Sequence, residues 1–386
     1  MAPNAAWDHL SYQRRLEDFD ANGKAVQATG PNDAVDGVCL SGELTDVGRK
    51  STLALGSRLR ALYVDHLHFL PPALSTPETY YLRATPIVRA LESMQQVFTG
   101  LYPDAAASSA ASPAIIHTRN PADENLYPNE ASCRRFRQLS RGFADVAAKR
   151  WNGSPEMAYL QAKIGGWMPD GARVAVDGHP RLSGLFDSIN ATLAHGPEVR
   201  LPDAFYDPEV RRMINDINVD EWFGGYAVSD EYRRLGVGSL LGDVANRAAA
   251  AATGESKVQI ALMGCHDTTL AAVLAALGAF DKKWPPFTSA IAVETFRVRD
   301  PRTSFWERMT GGDKEKGWYV RLRYNEQPVV VTGCKGAGRH LEGDESFCTM
   351  TAFRETIAKM APKDWKHECL QNLDQPAVKG VEEPVQ

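Results

Sequence analysis

Two short segments of the chain combine residue types that can bind and cleave a phosphate ester. Residues 80–85 carry Arg83, and residues 264–269 carry His266 and Asp267. An arginine makes planar, two-pronged contacts to phosphate oxygens, and a protonated histidine adds positive charge. A carboxylic acid can donate a proton to the departing alkoxide, which is a poor leaving group without it. The two segments together predict a site for a phosphate monoester.

Each segment lies where a predicted strand passes into a predicted helix. Residues 80–82 and the apolar run 257–263 are typical of short strands, and apolar residues at helical spacing follow each of them. Thr85 is expected to cap the first helix, and Gly278 is expected to end the second. In open α/β sheets, ligands bind beyond the carboxyl ends of strands, where helix N-termini attract anions. We therefore expect Arg83 and His266 to share one pocket.

Each segment also has an interpretation without chemistry. An arginine after a strand is commonly a surface ion-pair residue, since binding sites are few per protein. An aspartate before a helix is commonly a cap for the free N–H groups of the first turn. The spacing of residues alone does not choose between these interpretations and a catalytic site.

Composition excludes several classes of protein. The chain has 386 residues, a net charge of −5 and 44% hydrophobic residues, which is ordinary for a globular protein. Without a basic excess, no nucleic-acid partner is predicted. The most apolar stretch, residues 268–280, is too short for a transmembrane segment. Residues 1–20 contain no apolar run typical of a signal peptide.

The six cysteines do not predict a metal site. None of them has C-x-x-C spacing or lies near a histidine cluster, so no metal is expected. Their pairing stays open. Cys334 and Cys348, which flank a glycine-rich loop, are the pair most readily bridged, and buried free thiols are an equally good interpretation for most of the others.

The pattern of strands and helices predicts an α/β fold with four parts. Residues 1–40 are polar and turn-rich, with a short charged helix at residues 12–19, and are interpreted as an irregular surface segment. Strands and helices alternate over the α/β core, and weaker periodicity indicates a mainly helical insertion, including a helix at 240–252. The predicted parts are 1–40, a core of 41–117 and 253–350, an insertion of 118–252, and a C-terminal segment of 351–386. Further strands are predicted at 115–117, 291–298, 318–324 and 329–332.

Three motifs, in order along the chain, resemble those of the histidine acid phosphatases. Residues 42–48 resemble G-x-L-T-x-x-G, residues 81–89 resemble Y-x-R-S-T followed by Arg, and residues 266–270 resemble H-D-x-T-L. Within that family the lysophosphatidic acid phosphatases are most similar, on segments that include 66–70, 126–129 and 280–287. The resemblance covers about residues 40–350.

The resemblance implies a fold, a reaction and residue roles. The fold would be phosphoglycerate mutase-like, a mixed sheet flanked by helices with a mainly helical cap. The reaction would be metal-free, cofactor-free hydrolysis of a small-molecule phosphate monoester, with a lysophospholipid as one candidate. Arg83 and His266 would contact the phosphate, and Asp267 would be the general acid. These assignments make His266 and Asp267 the expected catalytic residues.

The sequence departs from the family at the nucleophile. The family's R-H-G-x-R-x-P motif belongs upstream of Gly42, and residues 1–41 contain a single histidine, His9, between Asp8 and Leu10. The only Arg-His pair is Arg339-His340, which we interpret as surface. We expect an N-terminal segment to be missing, which leaves a mitochondrial or secretory location open. A phosphate-binding pseudophosphatase and replacement by another histidine, such as His9, His117 or His340, are the alternatives.

Overall fold

The computed structural model describes residues 15–30, 33–35, 42–74, 76–104, 114–197, 199–298 and 315–378. The chain divides into two compact units, Met1–Thr45 and Asp46–Gln386. The four parts and boundaries expected from the sequence stay predictions.

The described part of the first unit contains a short hairpin. Strands β1 (Glu17–Phe19) and β2 (Ala25–Gln27) pair antiparallel, and both are exposed. The turn between them includes Asn22 and Gly23, where the glycine has φ +75°. The expected charged helix is therefore wrong for residues 17–19, because this turn folds the chain back as a hairpin. Residues 12–14 of that expected helix lie outside the described residues.

Helices make up much of the second unit. Two one-turn π-helical segments, Ala61–His66 and Arg234–Gly238, continue from the helices that end at Arg60 and Arg233. The helices are α1 (Asp46–Arg60), α2 (Val88–Leu101), α3 (Arg134–Trp151), α4 (Pro155–Ile164), α5 (Leu182–His195), α6 (Pro208–Val228), α7 (Asp230–Arg233), α8 (Ser239–Thr253), α9 (Asp267–Ala276), α10 (Met350–Ala358) and α11 (Trp365–Glu368). Within the described ranges, none of these helices is long and apolar enough to cross a membrane.

The described strands of this unit form a parallel sheet and an antiparallel sheet. The strands are β3 (Tyr80–Ala84), β4 (Ile116–His117), β5 (Ile260–Gly264), β6 (Ile291–Arg297), β7 (Trp318–Tyr324), β8 (Gln327–Val329), β9 (His340–Leu341) and β10 (Asp344–Thr349). The parallel sheet has the order β4–β3–β5, and the antiparallel sheet has the order β6–β7–β10–β9 with β8 against β7. The predicted α/β class, with sheets and flanking helices, is confirmed.

Most strand predictions differ from the structure only at their ends, and one is displaced. A strand was expected at residues 329–332, whereas β8 ends at Val329. Asn325 and Glu326 both have positive φ, so they form a tight turn that pairs β8 with β7 at once. Thr332 instead begins a single 3₁₀ turn.

Two disulfides are present among the described cysteines. Cys334 and Cys348 are bonded, as the flanking of the glycine-rich loop suggested, and Cys133 is bonded to Cys369. The free-thiol interpretation is therefore wrong for Cys133 and Cys369. Cys265 is free, and Cys39 lies outside the described residues. The longer link, which spans 236 residues, ties the chain after α11 to the start of α3.

Candidate active site

The parallel pairing of β3 and β5 forms the framework of the site. These strands are parallel neighbours, with Arg83 opposite Met263 and Ala84 opposite Gly264. A further contact continues this pairing, since the N–H of Thr85 donates to the carbonyl oxygen of Gly264 at 3.1 Å. Because parallel strands end at the same edge of a sheet, the two chemistry-bearing segments meet there.

Close packing brings the N-terminal part of α2 to the same edge. A Cβ atom added at Gly264 would lie 2.6 Å from the carbonyl oxygen of Ala90 and 3.1 Å from the Cβ of Ala84. Only glycine allows the backbone of β5 to approach α2 this closely. Helix α9 follows β5 directly, so the N-termini of two helices of more than two turns lie beside the ends of β3 and β5.

His266 lies at the N-terminal end of α9 and contacts the segment after β3. It is the N-cap residue, with extended backbone angles, and its Nε2 lies 3.1 Å from Oγ1 of Thr85. Burial lowers the pKa of His266, the charge of Arg89 lowers it further, and Asp267 and Glu124 oppose these effects. The neutral ring is therefore favoured to a lower pH than for an exposed histidine.

Thr85 does not cap α2, which corrects the expectation. Helix α2 begins at Val88 with Ile87 at the N-cap position, two residues later than predicted. Thr85 is fully buried, and its hydroxyl is engaged with His266. The tertiary contact between the two segments therefore takes the hydroxyl that local sequence assigned to the helix.

Asp267 is the first residue of α9, and both of its carboxyl oxygens accept hydrogen bonds. Oδ1 accepts from the backbone N–H of Thr268 at 2.8 Å, and Oδ2 accepts from the indole N–H of Trp284 at 2.6 Å. The capping interpretation had placed this aspartate ahead of the helix. It lies instead in the first turn, where its charge suits the helix dipole.

Arg83 is buried and ion-paired. Its side chain is 1% exposed, and Nη2 donates to Oε1 of Glu124 and, at 2.8 Å, to Oδ1 of Asn125. The carboxylate of Asp243 lies 3.6 Å from Nη1. The surface interpretation of this arginine is wrong, because it is an interior residue. Its Nε–H has no hydrogen-bond partner among the described residues, which leaves one buried donor unsatisfied.

Sequence reasoning missed the polar network around Arg83. Glu124 accepts the backbone N–H groups of Asn125 and Leu126 on the same oxygen that meets Arg83. Asp243, on α8, accepts from Asn125 at 3.0 Å and from Arg119 at 2.6 Å. An acidic residue inside the apolar α8 was the one local signal, because a carboxylate that is partly withdrawn from water favours a cationic partner.

A second carboxyl approaches the site from α5. Asp187 is exposed, but partial desolvation of its carboxyl raises its pKa, the charge of Asp267 raises it further, and Arg89 lowers it. These effects indicate that the Asp187 carboxyl lies within electrostatic reach of Asp267 and of Arg89. Neither Asp187 nor the role of α5 was expected from the sequence.

The structure also places two of the histidines considered as replacement nucleophiles. His117, at the end of β4, lies opposite Arg83 and stacks on the ring of Tyr81 at 4.9 Å. His340 is half-buried in β9, with Nδ1 2.9 Å from the carbonyl oxygen of Cys334, so it lies in a strand and keeps part of its surface exposed. His9 lies outside the described residues. Over the described ranges, no group of three or more His, Cys, Asp or Glu side chains is arranged to hold a metal ion.

Comparisons with known proteins show which family the chain resembles along most of its length. A probable acid phosphatase of Schizosaccharomyces pombe is 37% identical over 396 aligned positions, which cover 94% of this chain and 83% of that protein. The human lysophosphatidic acid phosphatase type 6 is 28% identical, over 90% of this chain and 73% of its own length. Similarity to both an acid phosphatase and a lysophosphatidic acid phosphatase matches the resemblance in the three motifs.

Solved structures show the same fold at low sequence identity. The apo form of Hafnia alvei phytase aligns with a TM-score of 0.57 at 13% identity, over 88% of this chain and 91% of that one. The apo form of the Bifidobacterium longum multiple inositol polyphosphate phosphatase aligns with a TM-score of 0.55 at 14% identity, over 83% and 81%. The sequence profile of the histidine phosphatase superfamily, branch 2, matches residues 8–325. The chain therefore belongs to branch 2 of the histidine phosphatase superfamily.

Proposed function

We propose that the edge formed by β3 and β5 is a phosphomonoester site of the acid phosphatase type. The observation that carries the proposal is the parallel pairing of these strands, which brings Arg83, His266 and Asp267 to one edge beside two helix N-termini. Free N–H groups and the helix dipole favour an anion at that position.

The proposed roles follow from the surroundings of each side chain. Arg83 supplies fixed positive charge from the interior beneath this edge, and its unsatisfied Nε–H is a donor that a phosphate oxygen reaches only if the neighbouring side chains move. His266 adds a second contact, which strengthens when the ring is protonated at acid pH. As a nucleophile, either water or the histidine of an R-H-G-x-R-x-P segment, forms the new bond to phosphorus, the bond to the departing oxygen breaks and Asp267 donates a proton to that oxygen. All three roles are filled by side chains of this chain, whereas the bond to phosphorus needs a separate nucleophile.

The substrate that we propose is a lysophospholipid phosphate. The support is the similarity to proteins named lysophosphatidic acid phosphatase type 6 from several mammals, including the 31% identical protein of Pongo abelii. The chain aligns with 71% of that protein's length, so the proposal rests on most but not all of it.

We further propose that the 386-residue chain, without an R-H-G-x-R-x-P segment, hydrolyses phosphate esters slowly. No Arg-His-Gly triplet occurs anywhere in it, so the family's nucleophile and its flanking arginines have no counterpart. Loss of a nucleophile that acts with other catalytic groups typically costs on the order of 10⁶ in turnover. The same observation favours a second candidate function, in which the chain binds phosphate esters without hydrolysing them.

One experiment separates binding from turnover. Calorimetry with inorganic phosphate measures the affinity of the site for phosphate, and release of nitrophenol from p-nitrophenyl phosphate measures the rate of hydrolysis. We expect His266→Gln to weaken phosphate binding about tenfold, while His195→Gln, at an exposed position on α5, leaves it unchanged. Equal binding by both variants would overturn the proposed site.

The reaction is tested by adding the missing motif. A form of the chain preceded by an apolar segment ending in R-H-G-x-R-x-P is expected to gain phosphatase activity between about pH 4 and 7, where a carboxylic acid can hold its proton. If the chain without this segment matched that form within about tenfold, the nucleophile would lie in residues 1–386. His117→Ala would then test the histidine closest in register to Arg83.

A further inference from the structure

Trp284 makes a polar contact that neither the motifs nor the proposed roles use. Its indole N–H donates to Oδ2 of Asp267 at 2.6 Å, across 17 residues of chain. An indole nitrogen is a donor only, so it can never compete with Asp267 for a proton. The contact is short, which is typical of a donor facing a charged oxygen.

Aromatic side chains hold the indole in place. The ring of Trp284 contacts Phe223 at 4.8 Å, Phe186 at 5.1 Å and Trp222 at 5.9 Å between centroids. Its backbone N–H donates to Oδ1 of Asn215 at 3.2 Å. Phe186 lies on α5, and the other three partners lie on α6. The helices of this region therefore determine where the indole N–H points.

The two donors to Asp267 decide which oxygen carries the proton. In a protonated carboxyl group, the carbonyl oxygen is the better acceptor and the hydroxyl oxygen holds the hydrogen. The shorter contact, from Trp284, selects Oδ2 as the carbonyl oxygen, so the proton lies on Oδ1. When this proton passes to the leaving oxygen, the negative charge spreads over two oxygens, each of which already accepts an N–H.

We propose that Trp284 is a positioning residue that orients Asp267 for proton donation from Oδ1. This proposal rests on the proposed function, in which Asp267 is the general acid. It links the aromatic cluster on α5 and α6 to the chemistry at the edge of the parallel sheet.

The contact itself is tested without any turnover. In protein labelled with ¹⁵N-tryptophan, Trp284→Phe identifies the indole resonance of Trp284 by its disappearance. We expect that resonance to move as Asp267 gains its proton on acidification, and to stop moving in Asp267→Asn. Trp222→Phe is the matched control, because it alters the same cluster and leaves the donor to Asp267 in place. If the indole resonance of Trp284 moved with pH in Asp267→Asn as it does in the unaltered chain, the proposal would be overturned.

The positioning role is tested by comparing substrates with different leaving groups, using the form of the chain that carries R-H-G-x-R-x-P. An alkyl phosphate needs a general acid, whereas p-nitrophenolate leaves readily without one. We expect Trp284→Phe to lower kcat for an alkyl phosphate by about 10- to 100-fold and for p-nitrophenyl phosphate by less than about threefold. Trp222→Phe should lower neither.

Two results would refute the role and remain distinguishable from failure of the proposed function. Equal losses on both substrates in Trp284→Phe would show a structural effect, which overturns the positioning role. If Asp267→Asn itself showed no dependence on the leaving group, the general-acid assignment would be wrong, and the positioning role would fail with it. The indole titration would then still report whether the contact exists.

Discussion

Replacing Glu124 by glutamine tests the buried ion pair that holds Arg83. Glutamine keeps the shape and one acceptor oxygen of Glu124 and removes its charge. The two side chains are 1% and 0% exposed, so neither charge is screened by solvent. The change therefore leaves the Arg83 guanidinium in the interior with less compensation.

The magnitude follows from what remains around Arg83. Breaking a buried pair by removing one partner typically costs about 3–5 kcal/mol. Asn125 still accepts from Arg83, and Asp243 still lies 3.6 Å from Nη1. We therefore expect Glu124→Gln to lower the free energy of unfolding by about 3 kcal/mol, at the lower end of that range.

The assay is urea unfolding followed by circular dichroism, with a matched exposed pair as control. Glu326 pairs with Arg58, and their side chains are 47% and 52% exposed, so Glu326→Gln should cost less than about 1 kcal/mol. In the double variant Arg83→Met/Glu124→Gln, the loss should be smaller than the sum of the single losses, because no unpaired charge remains. Equal stability losses for Glu124→Gln and Glu326→Gln would refute the reasoning.

Two further predictions concern pH and the disulfides. Because the pKa of His266 is lowered in the folded chain, the unfolded chain binds this proton at a higher pH, and the free energy of unfolding should fall as pH drops below about 6.5. In His266→Gln, the urea midpoints measured from pH 7 to 5 should fall less steeply than in the unaltered chain. An unchanged slope would contradict this prediction. Replacing Cys133 and Cys369 by serine should cost about 5 kcal/mol and replacing Cys334 and Cys348 about 3 kcal/mol, since the two bonds span 236 and 14 residues. Thermal melts that rank the pairs in the opposite order would count against the loop-closure argument.

Local features of the sequence predicted local features of the site. The apolar runs before Arg83 and His266, and the apolar spacing after them, indicated a strand followed by a helix at both places, and the structure has both. Gly278 does follow the end of α9 and has φ +69°, as expected of a helix stop. These features depend on neighbours within a few residues, and that is the range over which side-chain periodicity and backbone preferences act.

The surroundings of each site residue depended on the tertiary structure. Arg83 meets Glu124 from 41 residues away, and Thr85 reaches His266 across 181 residues instead of capping its own helix. No local pattern specifies such partners, because burial and competition among distant polar groups select them. By itself the sequence determined which residues could do chemistry and that each follows a strand. Only the tertiary structure decided that Arg83 is buried and paired and that the indole N–H of Trp284 donates to Asp267, because each contact forms when separate segments exclude water together.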